Sequence, residues 1–394
     1  MNSKVIHYLL VRLSILYPII AILGNILPPL GTVKINIIFN AFLVFLSVCI
    51  LFLKRKAVLL MSLFLILLFN FFLHKSIELK NIFTLFSSLL ILLALSQELS
   101  VSKKLIRLFL LFSSIPLFIS ILQIFHVFPI SFGYFNYVNE TNWGNERIIR
   151  PNGYLYTAYE LSVVTVLFLI SLTFFTEKTK QRIFVIGLGL VSIYLFRLRA
   201  ALVCWGILSF IEFRSVDSPK ISRFIKPIAM VIVLLIIANN LDLIKELFQV
   251  SKLSSEANYG QFLTGRINIW ITLINEYVNG NIVKKLFGFG FDYSQLFQNS
   301  VFWKSEYLPG THNTFLEIII TTGIFGILLT YHMFSSFFSV IHQYAIVYKK
   351  VFLVIIILLG TLGMTGPILK NPFWGIGIYF ITAILTTKLK SAET

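Results

Sequence analysis

The segment His312-Asn313-Thr314-Phe315-Leu316-Glu317 places an imidazole, an amide, a hydroxyl and a carboxylate close together, just before an apolar run that carries Gly323 and Gly326. A helix starting here turns its free N–H groups outward, which favours anions nearby and disfavours a charged imidazole. A neutral His312 at that point can accept a proton from an attacking hydroxyl. From spacing alone, a polar residue capping a helix at an interface is the simpler reading. Glu317 also has a simple reading, since Thr314-x-x-Glu317 fits a capping box and Asn313 and Glu317 share a helix face at i,i+4. Gly323 and Gly326, three residues apart, suit a close helix–helix contact. The other histidines fall at apparent span ends (His7, His74, His332, His342) or open a loop (His126), where an imidazole needs no special account.

Arginines form the second theme. Arg150, Arg197, Arg199 and Arg266 can each fork onto a phosphate, which suits guanidinium better than ammonium. Arg266 lies in Thr264-Gly265-Arg266-Ile267-Asn268-Ile269-Trp270, with Gly288-Phe289-Gly290 some way after it. A single arginine of this kind is usually solvated or set against a lipid headgroup, whereas four on one membrane face point to an anion site. Asp217, Asp242 and Asp292 are far apart, so no Asp-x-Asp can hold a nucleotide diphosphate through a divalent metal. No P-loop, dinucleotide glycine pattern or zinc spacing is present. Nucleotide-sugar and ATP chemistry are therefore disfavoured, and neither metal nor cofactor is expected.

The elements that must position these groups are apolar. The chain is 57% hydrophobic and 12% charged, about half the charge of a soluble protein. Runs long enough to cross roughly 30 Å of hydrocarbon recur throughout. They do not alternate as barrel strands would, so the fold expected is all-α: a polytopic helical membrane protein forming one domain over residues 1–394. The spans are Leu9–Leu27, Ile35–Leu53, Ala57–Leu73, Ile82–Leu95, Leu105–Phe125, Ala158–Phe175, Ile183–Phe196, Ala200–Phe213, Pro227–Ala238, Phe315–Val340, Val351–Ile368 and Pro372–Thr386, about twelve in all. The first is treated as a retained span, because no small-residue cleavage site follows it. Cys49 and Cys204 lie inside apolar runs, and no disulfide is expected.

With both termini cytoplasmic, the inner loops collect most of the lysines and arginines, among them Lys54-Arg55-Lys56, Lys178, Lys180, Arg182, Lys349, Lys350, Lys388 and Lys390. The positive-inside rule then sets the orientation. The net charge of +17 thus speaks to topology and lipid contact, and nucleic acid is not expected as a partner. A single helix over Ile183–Phe213 would run about 46 Å, too long for one untilted span. A hairpin is preferred, since one span would put the basic stretch 214–226 outside. Arg197 and Arg199 then sit at a recessed external turn, where a charge needs water, a partner or an anionic substrate. Two external segments exceed turn length: a first loop at 126–157 and a large loop at 239–311, between spans nine and ten, that must contain helices of its own.

The pattern resembles the superfamily of O-antigen polymerases and O-antigen ligases, integral membrane glycosyltransferases that use polyprenyl-diphosphate-linked sugars. The family signature is His, then Asn, Ser or Gln, nine residues, Gly, two residues, then Gly, Thr or Tyr; His312-Asn313, Gly323 and Gly326 match it in full. Gly265-Arg266 with Trp270 and Gly288-Phe289-Gly290 resemble the family's Gly-Arg…Trp…Gly-x-Gly run. Arg199-Ala200 resembles its Ser-Arg-Gly/Ala element, with Leu198 in place of the serine, and Arg150-Pro151-Asn152-Gly153 resembles its Arg-Pro-x-Gly stretch. The similarity spans about Arg150 to Leu329, and the first five spans match only as hydrophobic helices.

The resemblance implies a metal-independent transfer. Arg199 and Arg266 would hold the donor diphosphate as the glycosidic bond breaks, and His312 would act on the acceptor hydroxyl. Arg150, Arg197, Asn313 and Tyr154 would contact substrate, with Tyr154 and Tyr156 stacking on sugar rings unless they belong to an interfacial aromatic belt. The implied partners are undecaprenyl-diphosphate-linked oligosaccharide donor and acceptor, membrane lipids and a chain-length regulator protein. The implied location is a bacterial inner membrane, with the active site facing the periplasm. Polymerase is preferred over ligase on compact length and a Phe- and Ile-rich character. A lipid-linked saccharide flippase is the alternative from another class, although it would more often carry basic residues in many spans.

Overall fold

The computed structural model describes residues 3–30, 33–74, 79–132, 139–143, 146–155, 157–214, 262–290 and 313–393. The expected span 227–238, much of the large loop, Tyr156 and His312 itself lie outside the described residues. The first half contains α1 (Ser3–Ile26), α2 (Ile35–Leu53), α3 (Ala57–His74), α4 (Leu79–Ser96) and α5 (Lys103–Ile124). After the strands β1 (Asn139–Trp143) and β2 (Glu146–Arg150) come α6 (Ala158–Phe175), α7 (Thr179–Leu195) and α8 (Arg199–Arg214). The last part holds α9 (Phe262–Asn279), α10 (Ile282–Phe287), α11 (Thr314–Ile341), α12 (Ala345–Thr361), a 3-10 turn at Ile368–Lys370, and α13 (Pro372–Glu393).

Among the described residues, α1, α2, α5, α11 and the Pro372–Ser391 part of α13 are long and apolar enough to cross a membrane, and Leu85–Ser96, Tyr159–Phe175 and Ala200–Glu212 form shorter apolar helices. The architecture is helical with one amendment to the all-α expectation: β1 and β2 pair antiparallel in the first loop, Asn139 opposite Arg150.

The core forms around α4 and α13. Phe373, Trp374, Tyr379 and Phe380 of α13 are fully enclosed, as are Leu89 to Leu95 of α4. Small residues let these helices approach. A Cβ on Gly375 would lie 2.0 Å from the Ser88 carbonyl oxygen, and one on Gly377 would press into Leu167 of α6. Phe109 of α5 stacks on Phe380, ring centroids 4.1 Å apart. Exposed phenylalanines such as Phe45 and Phe64 lie on outer faces, where a bundle in hydrocarbon needs no polar cover.

Side-chain contacts identify the two ends of the bundle. At one end Asn25 of α1 bonds the Tyr154 carbonyl, and Tyr159 of α6 bonds the Leu362 carbonyl. At the other, His7 bonds the Leu95 carbonyl and Lys388 bonds that of Thr176. The basic residues Arg182, Lys350, Lys388 and Lys390 gather at this second end, pairing with Glu212 or covering aromatic rings. The expected hairpin is present: α7 and α8 turn at residues 196–198 and pack together. Since α7 starts near Thr176, that turn lies at the first end.

Candidate functional site

The Arg150-Pro151-Asn152-Gly153 stretch owes its shape to Gln123, near the end of α5. The Gln123 amide nitrogen donates to the carbonyl of Pro129 and to Asn152 Oδ1, at 3.3 and 3.2 Å. Its oxygen accepts from the backbone N–H groups of Asn152 and Gly153, both at 3.0 Å. One amide thus uses two donors and two acceptor positions, three of the bonds on the Asn152–Gly153 turn and one on Pro129. Gly153 has φ +59, and a Cβ there would sit 2.4 Å from the Pro116 carbonyl oxygen, so this close approach requires glycine. Asn152 closes the turn by accepting from the Tyr154 N–H.

Tyr154 is part of this scaffold. Its residue is 4% exposed and its phenol donates to the Pro129 carbonyl at 2.8 Å. Burial raises its pKa above the ordinary phenol range, against a smaller opposite effect of its hydrogen bond with Gln123. Its ring is therefore enclosed and does not offer the sugar-stacking face expected from sequence. Gln123→Leu should strand the turn's donors, at about 1–3 kcal/mol for each group left unpaired. A clear fall in thermal unfolding temperature in detergent would register that loss. An unchanged midpoint would mean the turn holds without the amide.

Arg150 is the last residue of β2, and Arg199 the first of α8. Between α7 and α8, Arg197 adopts φ +57. Its N–H bonds to the Tyr194 carbonyl and that of Leu198 to the Ile193 carbonyl, the hydrogen-bond pair of a Schellman cap, usually built with glycine. The left-handed conformation costs a side-chain-bearing residue about 1–2 kcal/mol. Arg55 and His126 hold φ +56 and +57 at the ends of α2 and α5 with the same bonding pair. A basic side chain beside the last carbonyls of a helix also suits its dipole. Arg197→Gly should therefore raise stability by roughly 1 kcal/mol while removing the guanidinium, which separates backbone from charge in one variant. Thermal unfolding in detergent checks the gain, and an unchanged or lower midpoint would refute it.

Arg266 stands in the first turns of α9, three residues before Ile269. Ile269 and Leu273 of α9 are buried against Ile320 of α11, with Trp270, Tyr277 and Ile319 at the margin. Tyr277 ties α9 to α10 by donating to the Lys285 carbonyl at 2.6 Å. The glycine motifs meet at this point. Gly288 (φ +81) ends α10, and a Cβ on it would lie 2.5 Å from the backbone of Thr321 and Thr322. Gly323 (φ +63, ψ −157) breaks α11, and a Cβ there would lie 2.4 Å from the Leu286 carbonyl oxygen.

The continuous span expected at Phe315–Val340 is thus two helical legs. The break leaves the Ile320 carbonyl to accept the Phe289 N–H at 2.6 Å, and the Thr321 and Thr322 hydroxyls donate back to carbonyls of the turn before it. At Gly326 a side chain would collide with the Thr322 hydroxyl. The close contact read from Gly323 and Gly326 exists at Gly323, as backbone against backbone with α10; Gly326 makes room within α11 itself.

Asn313 is the N-cap of α11, its Oδ1 accepting from the N–H groups of Phe315 and Leu316 at 2.9 and 3.2 Å. Glu317 does not form the expected capping box. Its carboxylate, 4% exposed, pairs with the Lys370 ammonium, which is 30% exposed. The helix starts one residue earlier than that box requires, so Glu317 faces the segment 362–371, here called the strap. Sequence reasoning passed over Lys370 and Gln123; a lone amide within an apolar span was the available signal for the second. The strap links two of the expected groups: Tyr159, just after the Arg150 turn, bonds Leu362, and Asn313 Nδ2 reaches Met364 Sδ at 3.4 Å. The Arg197–Arg199 turn stands on the α7–α8 pair, which packs against α6 and α12.

No curated protein sequence matches the chain. Residues 161–331, which include Arg197, Arg199, Arg266, Asn313, Gly323 and Gly326, match the family model described as O-antigen ligase.

Proposed function

We propose that the chain is a membrane glycosyltransferase that joins polyprenyl-diphosphate-linked oligosaccharide repeat units. The observation that carries this reading is the family match over residues 161–331, within which three of the four motif elements, from Arg199 to Gly326, occur in order. Members of that family are glycosyltransferase-like enzymes. In the proposed reaction Arg199 and Arg266 neutralise the diphosphate as it departs with the bonding electron pair of the anomeric carbon. His312 takes the proton from the acceptor hydroxyl as its oxygen bonds to that carbon. Arg150 and Arg197 contact the donor or acceptor, and Asn313 supports the helix start. The chain would cross the inner membrane about twelve times, with both termini cytoplasmic, the site on the periplasmic face and a chain-length regulator as protein partner.

Ligase activity, transfer of a finished glycan onto a lipid A core, is the second reading, favoured by the description of the matched family. Purified protein supplied with lipid-linked repeat units should produce longer lipid-linked glycans. No lengthening, together with transfer to lipid A core, would establish the ligase. In a deletion strain, surface polysaccharide one unit long identifies a polymerase, and none attached to the core identifies a ligase. Movement of the lipid-linked saccharide across vesicles without bond formation would favour a flippase.

A further inference from the structure

The strap between α12 and α13 contacts α11 at its first turn. The Gly363 carbonyl accepts the Thr314 N–H at 2.7 Å. The Thr314 hydroxyl donates to the Gly366 carbonyl at 2.8 Å and accepts the Ile368 N–H at 2.9 Å. Lys370 closes this seam on Glu317. The opposite side of the strap is anchored in the core: Ser88 of α4 donates to the Leu369 carbonyl at 2.6 Å, and Tyr159 at the start of α6 to the Leu362 carbonyl at 3.2 Å. The same short segment therefore sets the spacing between the start of α6 and the start of α11.

We propose that Lys370 is a positioning residue for glycosyl transfer, acting through Glu317 to hold the Asn313–Thr314 start of α11 against the strap. This rests on the function proposed above. Glu317 lies on the first turns of α11, its N–H bonded to the Asn313 carbonyl, so the residue that carries the ion pair also bonds the cap residue. The carboxylate is enclosed while the ammonium reaches the surface, so removing the cation withdraws an ion-pair partner from a buried group. The first turn of α11 then loses its tie to the end of the strap at Lys370.

The test uses the full chain in lipid vesicles, with lipid-linked saccharide extracted from a strain lacking the protein as donor and acceptor. Lys370→Met should lower kcat about 10- to 100-fold, the scale of a small misplacement of reacting groups, with KM little changed. Lys370→Arg should restore most of the rate, and the exchange Glu317→Lys/Lys370→Glu should exceed the Lys370→Glu variant alone. Should Lys370→Met fail to fold, the neutral pair Glu317→Gln/Lys370→Gln takes its place with the same expected fall in kcat. An unchanged kcat, a loss carried wholly by KM, or an exchange variant no better than the single one would overturn the proposal. If the wild-type chain transfers no saccharide, the functional reading has failed first, and the two failures are told apart by that control.

Discussion

His312→Ala is expected to lower saccharide elongation by about 10²–10⁴-fold, the usual contribution of a general acid or base, while leaving the protein folded. The separation follows from the start of α11. The simplest structural task for a histidine there is to cap the helix, but Asn313 holds that position, its Oδ1 bonded to the N–H groups of Phe315 and Leu316. Truncating His312 therefore strands neither of those two donors. Asn313→Ala, by contrast, should cost about 1 kcal/mol of helix stability as well as activity. The pair of variants, assayed for elongation and thermal unfolding, distinguishes chemistry from scaffold. Arg266→Ala should fall in parallel, by about 10²–10³-fold, the scale of one lost electrostatic stabiliser. Elongation at the wild-type rate in either variant would end the assignment of that residue.

Gly323→Ala should be among the most damaging single-methyl additions in the molecule. The backbone there, φ +63 and ψ −157, lies in a region open essentially to glycine, and a side chain costs about 1–3 kcal/mol on conformation alone. The added carbon would also lie 2.4 Å from the Leu286 carbonyl oxygen and 2.6 Å from the Gly288 nitrogen, atoms of main chain that cannot swing aside. Overpacking of this kind adds about 1–3 kcal/mol. The expected result is a loss of several kcal/mol with loss of transfer, because α10 can no longer seat on α11. Gly187, where a Cβ meets nothing within 4 Å, is the control: Gly187→Ala should be harmless or slightly stabilising. Similar melting temperatures for the two variants would refute the close contact.

Much of the helical pattern was legible because apolar run length reports hydrocarbon thickness directly. The α7–α8 turn followed from length and charge together, and it appears at residues 196–198. What sequence did not reveal depends on partners far along the chain. Glu317 reads as a cap residue from its neighbours, yet its partner is 53 positions away, a separation that local spacing cannot encode. Tyr154 looks like a surface aromatic in a Gly- and Asn-rich stretch, until Gln123 of the preceding helix draws its turn inward. The break at Gly323 was hidden for a related reason. A glycine in an apolar run is equally compatible with close packing and with a left-handed residue, and only the presence of α10 decides between them.

At the seat between α10 and α11 main chain meets main chain, beside the stacked rings of Phe287 and Phe325: the Phe289 N–H on the Ile320 carbonyl, and two glycines whose missing side chains let the strands of backbone touch. Main-chain atoms are common to all residue types. Apart from Ile269, Leu273 and Tyr277, which pack or bond across the joint, the side chains of these segments can then vary with less effect on the frame. A joint of this design should accept a transplant: a chain carrying residues 262–290 of a related protein, with the glycines, Ile269, Leu273 and Tyr277 retained, should keep its fold.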